Sequence, residues 1–269
     1  MSKIDGASEL YDSSKKLTHY LNFLFWFCFF LPFFLLFAPD NTSLHRALLV
    51  LQCVMTVTYV IGNAIDKEYL FFEAENLRRK LWLDNGFNCR VSKQSTRDYY
   101  NNQIPPSFIR LALNSYESCF FTVEILKKGI GKQMFMFLAS IIIWVIVCLY
   151  QADFKLVLLI IQTFFSGSVF ISFIEHITCF FRLSQLKNRF FTEFFTIGIK
   201  KKEQLFVLFH CVMDYECWKS YYHIRLDSQI FYKYNGILSE EWKSHISKIP
   251  KINNRLLNIS FSAFTDEEK

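Results

Sequence analysis

The chain has 269 residues, a formal net charge of +6, 32 Phe and 8 Cys, with 52% hydrophobic and 20% charged residues. A mean hydropathy of +0.19 carried by so many phenylalanines argues against an ordinary soluble domain. The basic residues form no clustered arm and no aromatic–basic alternation, which sets aside a nucleic-acid-tracking surface.

Residues 1–20 are polar, and Ser8 to Tyr20, with Leu10, Tyr11 and Leu17, predicts a short interfacial helix leading into an apolar run. Four such runs follow: Leu21 to Phe37, Ala47 to Asn63, Met134 to Tyr150 and Leu156 to Ile174. Each is free of formal charge over 17 to 19 residues. At about 1.5 Å per residue, each covers most of a roughly 30 Å hydrocarbon layer. The expected fold is an all-α membrane protein, with four transmembrane helices in two hairpins (21–63 and 134–174) and cytoplasmic helical extensions. Of the 30 Lys and Arg, 28 lie before, between or after the two hairpins, so both termini and the middle segment are expected in the cytoplasm. The anionic inner leaflet is then the natural partner of the positive charge. With three further runs behind it, the first run is not expected to be a cleaved signal peptide.

The first two runs differ in kind. The first holds eight Phe between Phe23 and Phe37 and nothing polar after Asn22, and is expected to face lipid. In the second, Gln52, Thr56, Tyr59 and Asn63 fall within about 60° of one another on a helical wheel. His45 and Asp66 extend that stripe at its ends. A polar face in hydrocarbon must meet another helix or water. Two readings follow: hydrogen bonding within one four-helix bundle, or the lining of a pore in a homo-oligomer.

The middle segment, 64–133, begins with a helical pattern from Asp66 to Leu83 that continues the second run and ends at Asn85-Gly86. Residues 84–107 are polar, contain Pro105-Pro106 and read as a loop. From Ser107 an amphipathic pattern resumes, expected to break at Gly129 and Gly131 before the third run. In the fourth run Gln162, Thr163, Ser166 and Gly167 gather on one side. They serve helix packing in one reading, and Gln162 and Ser166 line a pore in the other.

The C-terminal region, 175–269, keeps helical periodicity from Glu175 to Phe195. After Lys200, Lys201 and Lys202 a last helical region is expected over Glu203 to Tyr234. Glu175, His176 and Arg182 sit at the inner end of the fourth run. Glu175 and Arg182, seven apart, share a face that suits either a gate or a solvated helix end. The spacing of His210, Cys211, Cys217 and His223 fits no zinc pattern, and no metal or cofactor is expected. Arg78, Arg79, Lys80 and the lysine triple meet either nucleotide phosphates or lipid headgroups and solvent. No phosphate loop, H-E-x-x-H, nucleophile elbow or paired-acid constellation is present, so no enzyme activity is expected.

Three stretches occur in a suggestive order: Glu9-Leu10-Tyr11 with Lys15-Lys16; Glu175-His176 with Arg182-Leu183 and Leu186-Lys187; and Arg225-Leu226-Asp227-Ser228-Gln229-Ile230-Phe231 ahead of Trp242. In that arrangement, over nearly the whole chain, the sequence resembles the SMODS-associated four-transmembrane pore-forming effectors of bacterial defence. It departs from their pattern at Asp227-Ser228-Gln229, at Lys233-Tyr234 and in lacking a proline before the tryptophan region. The resemblance implies an inner-membrane effector of a second-messenger anti-phage system, which disrupts the membrane and arrests or kills the infected cell. A cyclic nucleotide or oligonucleotide messenger would act directly or through a partner, with Arg225 and Asp227 in the family-like tail motif. The alternative is a non-conducting anchor or signalling scaffold.

Overall fold

The computed structural model describes residues 6–35, 42–94, 100, 104–149, 169–197, 202–223 and 225–248. All regular structure among them is helical. In chain order α1 is Ser8–Leu35, α2 is Ser43–Ile65, a π segment is Asp66–Phe71, α3 is Phe72–Phe87, α4 is Phe108–Leu149, and α5 is Val169–Phe191. A second π segment, Thr192–Ile197, follows, and α6 (Lys202–Tyr221) and α7 (Ser228–Ile246) complete the order. The chain divides into two compact units: a hairpin unit of residues 8–74 and 130–177, and a bundle unit of residues 1–7, 75–129 and 178–269.

In the hairpin unit, α1 and α2 carry the first two apolar runs. Thr42 caps α2, its hydroxyl accepting from the His45 N–H at 3.2 Å. From Ser43 the helix runs without interruption to Phe87 and is long and apolar enough to cross a bilayer. The helical pattern read from Asp66 onward is therefore real, and the π segment lies within it. Leu44, Val50, Val54, Val57, Val60, Ile61 and Ile65 are all exposed. The Phe-rich run on α1 is two-sided. Phe23, Phe27, Phe30 and Phe34 are exposed, whereas Leu21, Phe25, Cys28, Phe29 and Leu31 are buried. An outward-facing wall describes only half of it, because α2 covers the other half. The later part of α4 meets the start of α5 through Phe137 and Phe173, stacked with centroids 4.5 Å apart. The fourth run is described only from Val169, so Gln162 and Ser166 lie outside the described residues.

Gly129 and Gly131 do not break α4, which passes through both. Each costs about 1 kcal/mol in a helix interior. That is too little to interrupt a segment anchored by the buried Ile109, Leu113, Tyr116, Phe120 and Val123 on one side and an apolar helix on the other. The end of α3 also differs from expectation by a few residues. Asn88, at φ 53°, supplies the left-handed cap. Gly86 is needed for contact, since a Cβ there would stand 2.3 Å from Leu111 Cδ1.

The bundle unit owes its core to aromatic residues on α4, α5 and α7. Trp242 is fully buried, with ring centroids 5.0 Å from Tyr116 and 5.7 Å from Phe120. Phe190 and Phe194 pack on Tyr116 at 5.5 and 5.9 Å. The single C-terminal helix expected over Glu203 to Tyr234 is two helices. Tyr221 ends α6, His223 takes φ 46°, and Asp227 caps α7 by accepting from Gln229 N–H at 2.9 Å and Ile230 N–H at 3.3 Å.

Three buried thiols lie in this core. Burial pushes Cys179 up to about 12, Cys211 up to about 11 and Cys119 higher still. A thiol raised in the folded state lends stability that is complete below its unfolded value of 9.0 and is lost as pH rises toward the folded value. Lys219, lowered by burial, acts in the opposite sense. The three thiols outnumber it, so the bundle unit is expected to lose stability from about pH 9 upward. Chemical denaturation at pH 8 and pH 10 measures this, and Cys179→Ala with Cys211→Ala should reduce the difference.

Candidate functional site

The polar stripe of α2 faces α1, and the two helices meet along an antiparallel seam. His45, Gln52, Tyr59 and Asp66 recur every seven residues on α2, and Ser14, Leu21 and Cys28 do so on α1. Such spacing keeps one face of each helix toward its neighbour. At one end Ser14 Oγ donates to Asp66 Oδ1 at 2.7 Å, and Thr18 Oγ1 stands 2.9 Å from both Asp66 Oδ2 and the Ser14 carbonyl, which share its one proton. One step on, Gly62 receives Leu21, whose Cδ2 would lie 2.6 Å from a Cβ at that position. Tyr59 then packs against Phe25 with centroids 5.8 Å apart. Gln52 Nε2 donates to the Cys28 carbonyl at 3.2 Å, and Thr56 stands beside the Cys28 thiol.

The seam is unevenly satisfied. Asp66 is 1% exposed and meets two hydroxyls, while Gln52 is 6% exposed and its Oε1 is buried with no donor. An unpaired buried amide oxygen costs about 1–3 kcal/mol. Asn63 and Tyr59 are half-buried, and Thr56 is exposed. The structure therefore brings Gln52, Thr56, Tyr59 and Asp66 together on α1. Ser14 and Thr18 complete the site, and the repeat of small and polar residues at 14, 18 and 28 is the signal that points to them.

The residues at the inner end of the fourth run do not form one cluster. Glu175 is exposed and His176 half-buried. Arg182 places its guanidinium over Trp218, 4.3 Å from the ring centroid. Arg225 is half-buried in the α6–α7 connection, and Asp227 is the cap of α7.

A second polar cluster, in the bundle unit, joins α3 to α6. Arg78 Nε pairs with Glu75 Oε2 at 2.8 Å, and its Nη2 with Glu216 Oε2. Lys219 Nζ stands 3.2 Å from Glu75 Oε1, and Arg79 donates to Ser220 Oγ at 3.1 Å. Burial alone would lower Arg78, but the carboxylates of Glu216 and Glu75 outweigh it and hold the guanidinium well above its ordinary value. Lys219 is lowered, by burial first and by neighbouring Arg78 next. Arg78 is thus committed to carboxylates and is not presented to phosphates.

Among the described residues no group of three or more His, Cys, Asp or Glu is arranged to hold a metal ion. No protein-family model, curated protein or solved structure matches the chain.

Proposed function

We propose that the protein is a multi-pass inner-membrane effector that assembles into a homo-oligomeric pore, with the bundle unit as its cytoplasmic regulatory part. The observation that carries this reading is α2 itself. Its outer side is a broad exposed apolar surface interrupted by Thr58, and its other side carries a polar stripe from His45 to Asp66. Apolar surface of that extent suits lipid, and a polar stripe of that length suits contact with water in an assembly. The resemblance to four-transmembrane defence effectors supports the same class and adds the expectation of a nucleotide messenger, sensed directly or through a partner.

Purified protein in liposomes should release an entrapped dye, spontaneously or on adding cyclic di- or oligonucleotides. Gln52→Leu with Thr56→Val should cut release at least tenfold at equal protein content. The competing reading, a non-conducting scaffold, is favoured by the engagement of Gln52 and Thr56 with Cys28. It expects no release, and biological activity that survives both substitutions. Intact oligomers that never leak under any of these nucleotides would decide for the scaffold.

A further inference from the structure

The α1–α2 seam is built differently at its Asp66 end and at its middle. At the Asp66 end the carboxylate is buried and closed by Ser14 and Thr18, and the chain passes at that residue from α-helix into a π segment. Short π segments inside long helices recur at functional sites because the extra residue locally shifts the hydrogen-bond register. At mid-depth Gln52 uses its Nε2 and leaves Oε1 buried without a donor. Closing α1 over α2 thus secures Asp66 and leaves the Gln52 amide half-satisfied. Removing α1 reverses the balance: Asp66 loses both hydroxyls, and Gln52 gains access to water or to a second copy's amide. A contact with opposed terms of similar size is suited to two states.

We infer that α1 is a displaceable cover of the α2 polar stripe, latched by Ser14 and Thr18 on Asp66, and that its undocking hydrates the stripe. This rests on the pore reading for its consequence, since the hydrated stripe is the one that would line the lumen. The cover itself is a property of the protomer. Cys28 reports on it directly: it is 4% exposed and lies in the seam against Gln52 and Thr56. The thiol of Cys119, also buried but in the bundle unit, controls for general unfolding.

The test labels the full chain in liposomes with a charged, water-borne methanethiosulfonate and reads each cysteine by peptide mass mapping. Asp66→Ala should speed Cys28 labelling at least fivefold with Cys119 unchanged. Leu21→Cys with Gly62→Cys forms the opposite arm. The leucine that crowds Gly62 is removed, and the Leu21 Cγ position, which a cysteine sulfur at 21 would take, lies 3.7 Å from the Cβ of a residue at 62. Once oxidised, the pair should slow Cys28 labelling at least fivefold relative to its reduced form. A smaller change in the oxidised pair overturns the proposal, as does a smaller change in Asp66→Ala with Cys119 protected. If Asp66→Ala exposes Cys119 as well, the oxidised pair alone decides. Dye release from the same samples separates the two inferences. Release that persists in the oxidised pair sinks the cover's gating role and leaves the pore standing. Labelling that behaves as expected, with no release from any sample, upholds the cover and sinks the pore.

Discussion

Trp242→Ala is expected to destabilise the bundle unit by about 3–5 kcal/mol, the range for emptying a buried tryptophan site. The indole is fully buried against Tyr116 and Phe120 of α4, with Phe190 of α5 and Phe194 of the following π segment packed on Tyr116. Besides Trp242, α7 buries only Leu238. Ile230, Phe231, Tyr234 and Ile246 pack partly buried beside them, so Trp242 is the largest single anchor of α7, and its loss should loosen the helix before the rest of the unit melts. Limited proteolysis reads this as early cleavage near Ser228–Ile246. Trp242→Phe, which keeps much of the ring volume, should recover most of the protection. Equal protease resistance in wild type and Trp242→Ala would show that α7 is held by something else.

The second large effect is expected at the Glu75–Arg78–Glu216–Lys219 cluster. Arg78 and Glu216 are 138 residues apart in sequence, and Glu75 has only 3% of its side chain exposed. Removing one partner of a buried ion pair costs about 3–5 kcal/mol, because the other charge stays buried without compensation. Glu216→Ala strands Arg78 and should show that loss in chemical denaturation. Arg79→Ala should cost far less, because that side chain is 37% exposed and its contact with Glu216 is long, at 3.8 Å. Replacing Glu75, Arg78, Glu216 and Lys219 together by apolar residues of similar volume should be milder than Glu216→Ala. If the single and the combined replacements were equally damaging, packing rather than uncompensated charge would explain the cluster.

The sequence reveals the helical class, the continuation of the second apolar run into a polar helix, and the stripe on α2, because each is a local periodic signal. The direction of that stripe was not legible, since it depends on a second periodicity in residues 14 to 28 being brought alongside. Ser14, Thr18 and Cys28 are unremarkable one at a time, and only the pairing of Cys28 with Gln52 and of Ser14 with Asp66 gives them a role. The ion cluster is hidden for the same reason, its members lying far apart along the chain. Two local signals also misled. Gly129 and Gly131 look like breakers, yet the cost of a helical glycine is small beside the packing that spans them. The last helical region looks continuous, yet Asp227 caps a new helix after the left-handed His223.

Conductance across a planar bilayer is the most direct measurement. Purified full-length protein should give discrete current steps that are at least tenfold rarer or smaller with Gln52→Leu and Thr56→Val. Folded, membrane-inserted protein that carries no current, or currents indifferent to both substitutions, would contradict a pore lined by the α2 stripe.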